Sequence, residues 1–193
     1  YKVRDIRSGN FYTLKLFQYL PSEDIYSLFS AEDMHHITKI EHPNLSHVVD
    51  FGHVNDHIYV ISDYFEGSTL NNFRFSKNKV DALYQIVVQV CYALNALHTQ
   101  NIIHKDIKLE NILYSMSGNT LEVKVIDYGF SKFYLDKDSQ YVSGTLPYVA
   151  PEVYLGKPVG FASDFYSLGV VIYRLMTGSF PFSLDQINAL RSG

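Results

Sequence analysis

The stretch His104-Lys105-Asp106-Ile107-Lys108-Leu109-Glu110-Asn111 sets an aspartate, a lysine and an asparagine close together in a polar run. Phosphoryl transfer from ATP needs a carboxylate to accept or orient the attacking hydroxyl, a cation for the transferring group and an amide oxygen for a magnesium ion. Asp106, Lys108 and Asn111 fit those three tasks. A D-x-K-x-x-N spacing can arise by chance in any polar loop, so its weight depends on what accompanies it. Lys15, Asp127-Tyr128-Gly129, Ala150-Pro151-Glu152 and Asp164 are the further residues that could join it.

The elements that must position these groups form an α+β pattern in two lobes. Tyr1–Arg4 and Phe11–Phe17 read as a hairpin around Ser8-Gly9-Asn10, which puts Lys15 on a strand. A helix starts at Pro21-Ser22-Glu23 and runs towards Ile40, where His42-Pro43-Asn44 stops it. Val48–Phe51 and Ile58–Ile61 are two more strands, and Gly67-Ser68 marks the junction of the lobes. Beyond it, Val80, Leu83, Tyr84, Val87, Val90, Cys91, Leu94 and Leu97 define the apolar face of a long helix. Ile112-Leu113-Tyr114 and Leu121–Ile126 are strands about Ser117-Gly118-Asn119, so the catalytic stretch and Asp127 both fall at strand ends, where functional loops belong. Phe165, Leu168, Ile172 and Leu175 set a second long helix, ended by Gly178 and Pro181.

The chain has 193 residues, 47% hydrophobic and 19% charged, the balance of a soluble globular domain with a substantial core. Its one cysteine, Cys91, rules out an internal disulfide framework and suits a reducing compartment, so the expected location is cytoplasmic. Its setting on an apolar helix makes it an inert thiol. A net charge of −4 offers no broad basic face for nucleic acid. His35, His36, His42, His47, His53 and His57 lack the pairing of a zinc site. No segment reads as apolar for long enough to span a bilayer, Arg174 interrupting the best candidate, and no signal peptide opens the chain.

Taken in order, these motifs resemble a eukaryotic-type protein kinase over almost the whole chain. The resemblance implies a small β-rich N-lobe at residues 1–66 and a larger helical C-lobe at 67–193, both partial. His104–Asn111 is similar to H-R-D-L-x-x-x-N, and Asp127-Tyr128-Gly129 to D-F-G with a Tyr that keeps the packing ring. By that likeness Asp106 and Lys108 are catalytic, Asn111 and Asp127 hold magnesium and nucleotide, and Lys15 contacts the ATP phosphates. Asp33 stands where the family's helix acid pairs with that lysine. Ile58–Phe65 resembles the strand and hinge at the adenine site, with Asp63 and Phe65 as nucleotide-binding positions and small Ser62 just before them. Tyr148–Glu152 resembles the end of the activation segment, and the run from Ser131 to Gly144 a regulatory loop in which Ser139, Tyr141 and Ser143 are candidate phosphorylation sites. Asp164-Phe165-Tyr166-Ser167-Leu168-Gly169 looks like the start of the family's central helix, where the Asp buttresses the catalytic loop; Asp164 and Glu152 are architectural in this reading.

Lys108 and Thr145 resemble the serine/threonine branch, which implies ATP and Mg2+ as cofactors and a protein with a Ser or Thr acceptor as partner, with flanking domains in the full-length protein. Three departures accompany the likeness. The glycine-rich loop is expected just before Tyr1, and the family's last helices after the chain's end. Asp33 is shorter than the family's Glu, and neighbouring Glu32 points about 100° away on a helix. Lys105 replaces an Arg and loses its bidentate fork. The rival reading from another class is a pseudokinase, a nucleotide-binding scaffold or sensor.

Overall fold

The computed structural model describes residues 1–18, 36–55, 57–75, 78–118, 120–128 and 146–192. The chain divides into two compact units, Tyr1–Glu66 and Gly67–Gly193. Strands dominate the first and helices the second, an α+β layout as the sequence pattern implies.

In the first unit β1 (Lys2–Arg4), β2 (Phe11–Gln18), β3 (Val48–Val54) and β4 (His57–Asp63) form an antiparallel sheet in the order β1-β2-β4-β3. The β1–β2 turn is built by Asp5, whose carboxylate accepts from the Arg7 amide at 2.9 Å and the Ser8 hydroxyl at 2.6 Å. Residues directly opposite in such a sheet share a face. Thr13 faces Ser62, Lys15 faces Val60 and Phe17 faces Ile58, so Lys15 stands on the face that buries Ile58 and Val60. On the other face the Tyr59 ring lies across Gly52, where an added Cβ would stand 2.7 Å from the hydroxyl. Only glycine fits that approach. The helix expected from Pro21 lies mostly outside the described residues, as do Glu32 and Asp33; His36 and Ile37 are helical, and Ile37 and Ile40 are buried.

In the second unit α1 (Lys79–His98) is capped by Asn78, whose side chain accepts from the Asp81 amide at 3.2 Å. It packs on β7 (Thr120–Val125), which pairs with β6 (Ile112–Ser117) and through it with β5 (Ser68–Thr69). Gln89 staples the helix to that hairpin, donating to the Leu121 carbonyl and accepting from the Val123 amide, each at 2.9 Å. The buried stripe of α1 is Ile86, Val90, Ala93, Leu94 and Leu97. This corrects the expected face: Val80 and Tyr84 are 75% and 67% exposed. Apolar residues occupy most sides of α1, so spacing alone does not choose among them, and Ile86 lies about 120° around the helix from Val80. That same richness corrects the membrane expectation. By length and composition alone α1 could cross a bilayer; 28% of that stretch is buried, along the stripe that packs on β7. Burying a leucine such as Leu94 or Leu97 contributes about 2 kcal/mol.

Helices α2 (Pro151–Tyr154) and α3 (Phe161–Thr177) follow, the latter closed by Gly178 at φ 77°, a left-handed cap that suits glycine. The apolar face of α3 is also rotated from the expected one: Ser163, Asp164, Ser167, Leu168, Val170 and Val171 are buried, while Phe165 is exposed. Two serines and an aspartate turn inward because each has an internal partner there. A fourth helix, α4 (Leu184–Ser192), was not anticipated. Ser183 and Gln186 cap it reciprocally, each side chain accepting from the other's amide.

Candidate active site

Asp164 is the anchor of the second unit. It sits in the first turn of α3 and is 1% exposed, and its two carboxylate oxygens accept from three donors. The His104 amide lies at 2.9 Å, the Lys105 amide at 2.8 Å and His98 Nε2 at 2.8 Å. A buried carboxylate is stable only when so provided. The ring of His98 is held in turn by stacking on Phe161, centroids 4.5 Å apart, with Phe165 meeting it edge-on.

From that anchor the loop is fixed residue by residue. His104 is fully buried, donates from Nε2 to the Ile126 carbonyl at 2.9 Å and accepts at Nδ1 from the Asp106 amide at 3.3 Å. This donor and acceptor pattern is that of a neutral imidazole, and it ties the loop to the end of β7. Lys105 has φ 66° and Asp127 φ 69°, both left-handed conformations that non-glycine residues adopt only when their surroundings hold them. The Asp164 carboxylate on the Lys105 amide supplies that hold at the first.

Asp106, Lys108 and Asn111 meet as their spacing suggests. Lys108 Nζ stands 2.7 Å from Asp106 Oδ2, with both side chains largely sheltered at 20% and 13% exposure. Asn111 Nδ2 donates to the same Oδ2 at 2.7 Å and to the Asp106 carbonyl at 2.8 Å. Both bonds use the amide nitrogen, so the amide oxygen is turned away from Asp106, as a cation ligand must be. The Ile126 amide donates to the Asn111 carbonyl at 3.0 Å, which keeps Asn111 beside the end of β7, two residues before Asp127. Tyr128, 1% exposed, is among the largest fully buried side chains, so the ring after Asp127 does pack inward. Oxygen donors of this kind suit magnesium, which takes few protein ligands and keeps water or phosphate for the rest. Among the described residues no group of three or more His, Cys, Asp or Glu forms a metal cage.

The Tyr148–Glu152 segment is also anchored. Glu152 accepts from Ser163 Oγ at 2.6 Å, and Ser167 Oγ donates to the Tyr148 carbonyl at 2.8 Å. Burial pushes the Tyr148 hydroxyl up to about 12; the Glu110 charge adds to this, while the Leu109 backbone and Arg174 pull the other way. Burial likewise raises the half-buried Cys91 thiol, which disfavours the reactive thiolate.

In the first unit, Lys15 holds its place on β2 opposite Val60. Asp63 ends β4, and its amide donates to the His47 carbonyl at 2.9 Å. Its own carbonyl accepts from Ser46 Oγ at 3.2 Å, leaving one lone pair for another donor. Phe65 follows the strand and is half-buried. Asp33, Gly129, Thr145 and the run from Ser131 to Gly144 lie outside the described residues. Sequence reasoning missed His98. No local signal marks His98, because its partner Asp164 is 66 residues away.

Comparison with known proteins finds relatives along nearly the whole chain. The protein kinase domain model matches residues 1–192. Serine/threonine-protein kinase kin-29 of Caenorhabditis elegans is 31% identical over 97% of this chain and 25% of its own length. A probable serine/threonine-protein kinase of Clostridium perfringens is 32% identical over 96% of this chain and 27% of its own. The cAMP-dependent protein kinase type 3 of Saccharomyces cerevisiae is 32% identical over 93% and 45% respectively. The chain therefore spans between a quarter and just under a half of these relatives. Its motifs, their order and the match along nearly its full length place this chain in the protein kinase domain family.

Proposed function

We propose that the protein transfers the γ-phosphoryl group of ATP, with magnesium, to serine or threonine hydroxyls of protein substrates. The cluster of Asp106, Lys108 and Asn111 carries this reading: a sheltered carboxylate is gripped at 2.7 Å by both a cation and an amide whose oxygen points elsewhere. Asp106 orients the acceptor hydroxyl and takes its proton, while that oxygen forms a bond to the γ-phosphorus and the bond to the β-phosphate oxygen breaks, releasing ADP. Lys108 balances the charge on the transferring group, and Lys15 serves the phosphates. Asn111 Oδ1 and the Asp127 carboxylate are the donors for magnesium, which when bound neutralises phosphate charge. Asp63 and Phe65 belong to adenine binding, and Asp33 to holding Lys15. The serine/threonine preference draws on Lys108 and on the names of the relatives. A cytoplasmic location goes with it, since the reaction needs cellular ATP and Cys91 suits a reducing compartment.

The test is transfer of label from γ-labelled ATP to a generic protein by the full-length protein, with magnesium and with a chelator, followed by identification of the labelled residue. Magnesium-dependent phosphoserine or phosphothreonine is expected. Nucleotide binding without transfer would reject catalysis and assign the scaffold role.

A further inference from the structure

His47 stands just before β3, and its ring joins two segments of the first unit. Nε2 lies 2.9 Å from the carbonyl of Thr38, which follows helical His36 and Ile37. A carbonyl only accepts, so Nε2 carries the hydrogen. That decides what the other nitrogen offers: in the neutral ring Nδ1 is a bare lone pair, and in the charged ring it is a second N–H. Nδ1 lies 3.8 Å from Asp63 Oδ2, so a neutral His47 turns a lone pair towards a carboxylate and a protonated one turns a cation towards it. The two residues are tied by backbone as well, the Asp63 amide donating to the His47 carbonyl at 2.9 Å.

Among the described residues Asp63 makes no ion pair with any other base. Glu41 before His47 and Asp50 after it make none with the ring, Asp50 accepting instead from the Tyr59 hydroxyl at 3.4 Å. His36, Lys39 and His42, on the connection that carries Thr38, are bases as His47 is. The charge on the ring therefore acts on Asp63. The ring is 27% exposed and the carboxylate 56%, so their attraction is modest and its importance lies in where it acts. Asp63 ends β4, and its carbonyl, already accepting from Ser46 Oγ, keeps a lone pair for a donor such as the adenine amine. Holding the amide, carbonyl and side chain of one residue aims that lone pair before the ligand arrives, which lowers the ordering cost of binding.

We propose that His47 is a proton-dependent positioning residue that steadies the adenine-binding end of β4 when its ring is charged. The proposal rests on the kinase reading for the role of the Asp63 carbonyl. Its test uses the full-length protein, His47→Gln, Asp63→Asn and the double variant at about pH 5.5 and about pH 8, either side of the range in which histidine changes charge. Gln keeps a donor at the Nε2 position for the Thr38 carbonyl and carries no charge. Denaturant titration should give a coupling between positions 47 and 63 at the lower pH, where an ion pair can form, and none at the higher. In parallel, calorimetry measures binding of adenosine, which is uncharged throughout. The parent should bind it about threefold more tightly at the lower pH than at the higher, in line with the modest worth of a half-exposed ion pair, and His47→Gln should bind it equally at both. Coupling that is absent at both pH values or equal at both overturns the proposal, as does a pH dependence of adenosine binding that survives in folded His47→Gln. Coupling at the lower pH with no adenosine binding at all would reject the kinase reading and leave the proton-dependent tie between His47 and Asp63 standing.

Discussion

The sheet of the first unit and the catalytic loop of the second place their functional groups by opposite means. Lys15 is positioned by register: β2 pairs with β4 residue by residue, and the lysine falls on the buried face because Val60 and Ile58 do. Asp106 is positioned by exceptions to regular structure. Its loop has a left-handed Lys105, a buried His104 bridging to Ile126 and a carboxylate from a helix 60 residues away holding two amides. A register tolerates side-chain change as long as its strands pair, whereas a loop held by a few charge-assisted bonds fails when one is removed. Stability and activity should therefore separate differently in the two units.

The loop should show the largest effects. Asp164→Asn leaves a buried amide where a carboxylate accepted three bonds, so at least one donor loses its partner; it should cost about 3 kcal/mol of stability, read as a lower denaturation midpoint, together with most of the transfer activity. If Asp127 serves magnesium as proposed, Asp127→Asn should lose transfer and magnesium-dependent nucleotide binding, with a smaller fall in melting temperature than Asp164→Asn. Equal destabilisation by the two substitutions would erase the distinction between anchor and working group.

Within the sheet, Gly52→Ala forces a Cβ against the Tyr59 ring and should destabilise by about 1–3 kcal/mol, with the double change Gly52→Ala, Tyr59→Ala recovering most of it. Denaturant titration of the three forms would show it. If the single variant is as stable as the parent, the ring does not occupy that site.

The smallest effect is a pH dependence. Tyr148 is raised from 10.0 to about 12 in the folded protein, chiefly by burial. A raised acid contributes stability fully present below the unfolded value and lost as pH climbs through the folded one. Melting temperature should thus fall more steeply between pH 10 and pH 12 in the parent than in Tyr148→Phe. Identical slopes would show that the hydroxyl is not protected.

The legible parts of the molecule were those with local causes. Strands β1 to β4 follow from alternation and turn residues, and the Asp106, Lys108 and Asn111 set from a spacing that one short loop can close. The faces of α1 and α3 were misjudged because apolar residues ring α1 and because Ser163, Asp164 and Ser167 are buried through hydrogen bonds that no hydrophobic pattern reveals. Helix α4 had a readable signal in the Ser183 and Gln186 capping pair. His98 had none, since its significance comes from Asp164, 66 residues away in sequence.

The central claim is that Asp106 works on the acceptor hydroxyl and not on the fold. Single-turnover transfer from γ-labelled ATP to a serine or threonine peptide, measured for the full-length protein and its Asp106→Asn form, tests it most directly. Transfer should drop by about 10³-fold, equivalent to about 4 kcal/mol of transition-state stabilisation, with nucleotide binding and melting temperature nearly unchanged. Near-normal transfer by the folded variant would contradict the account.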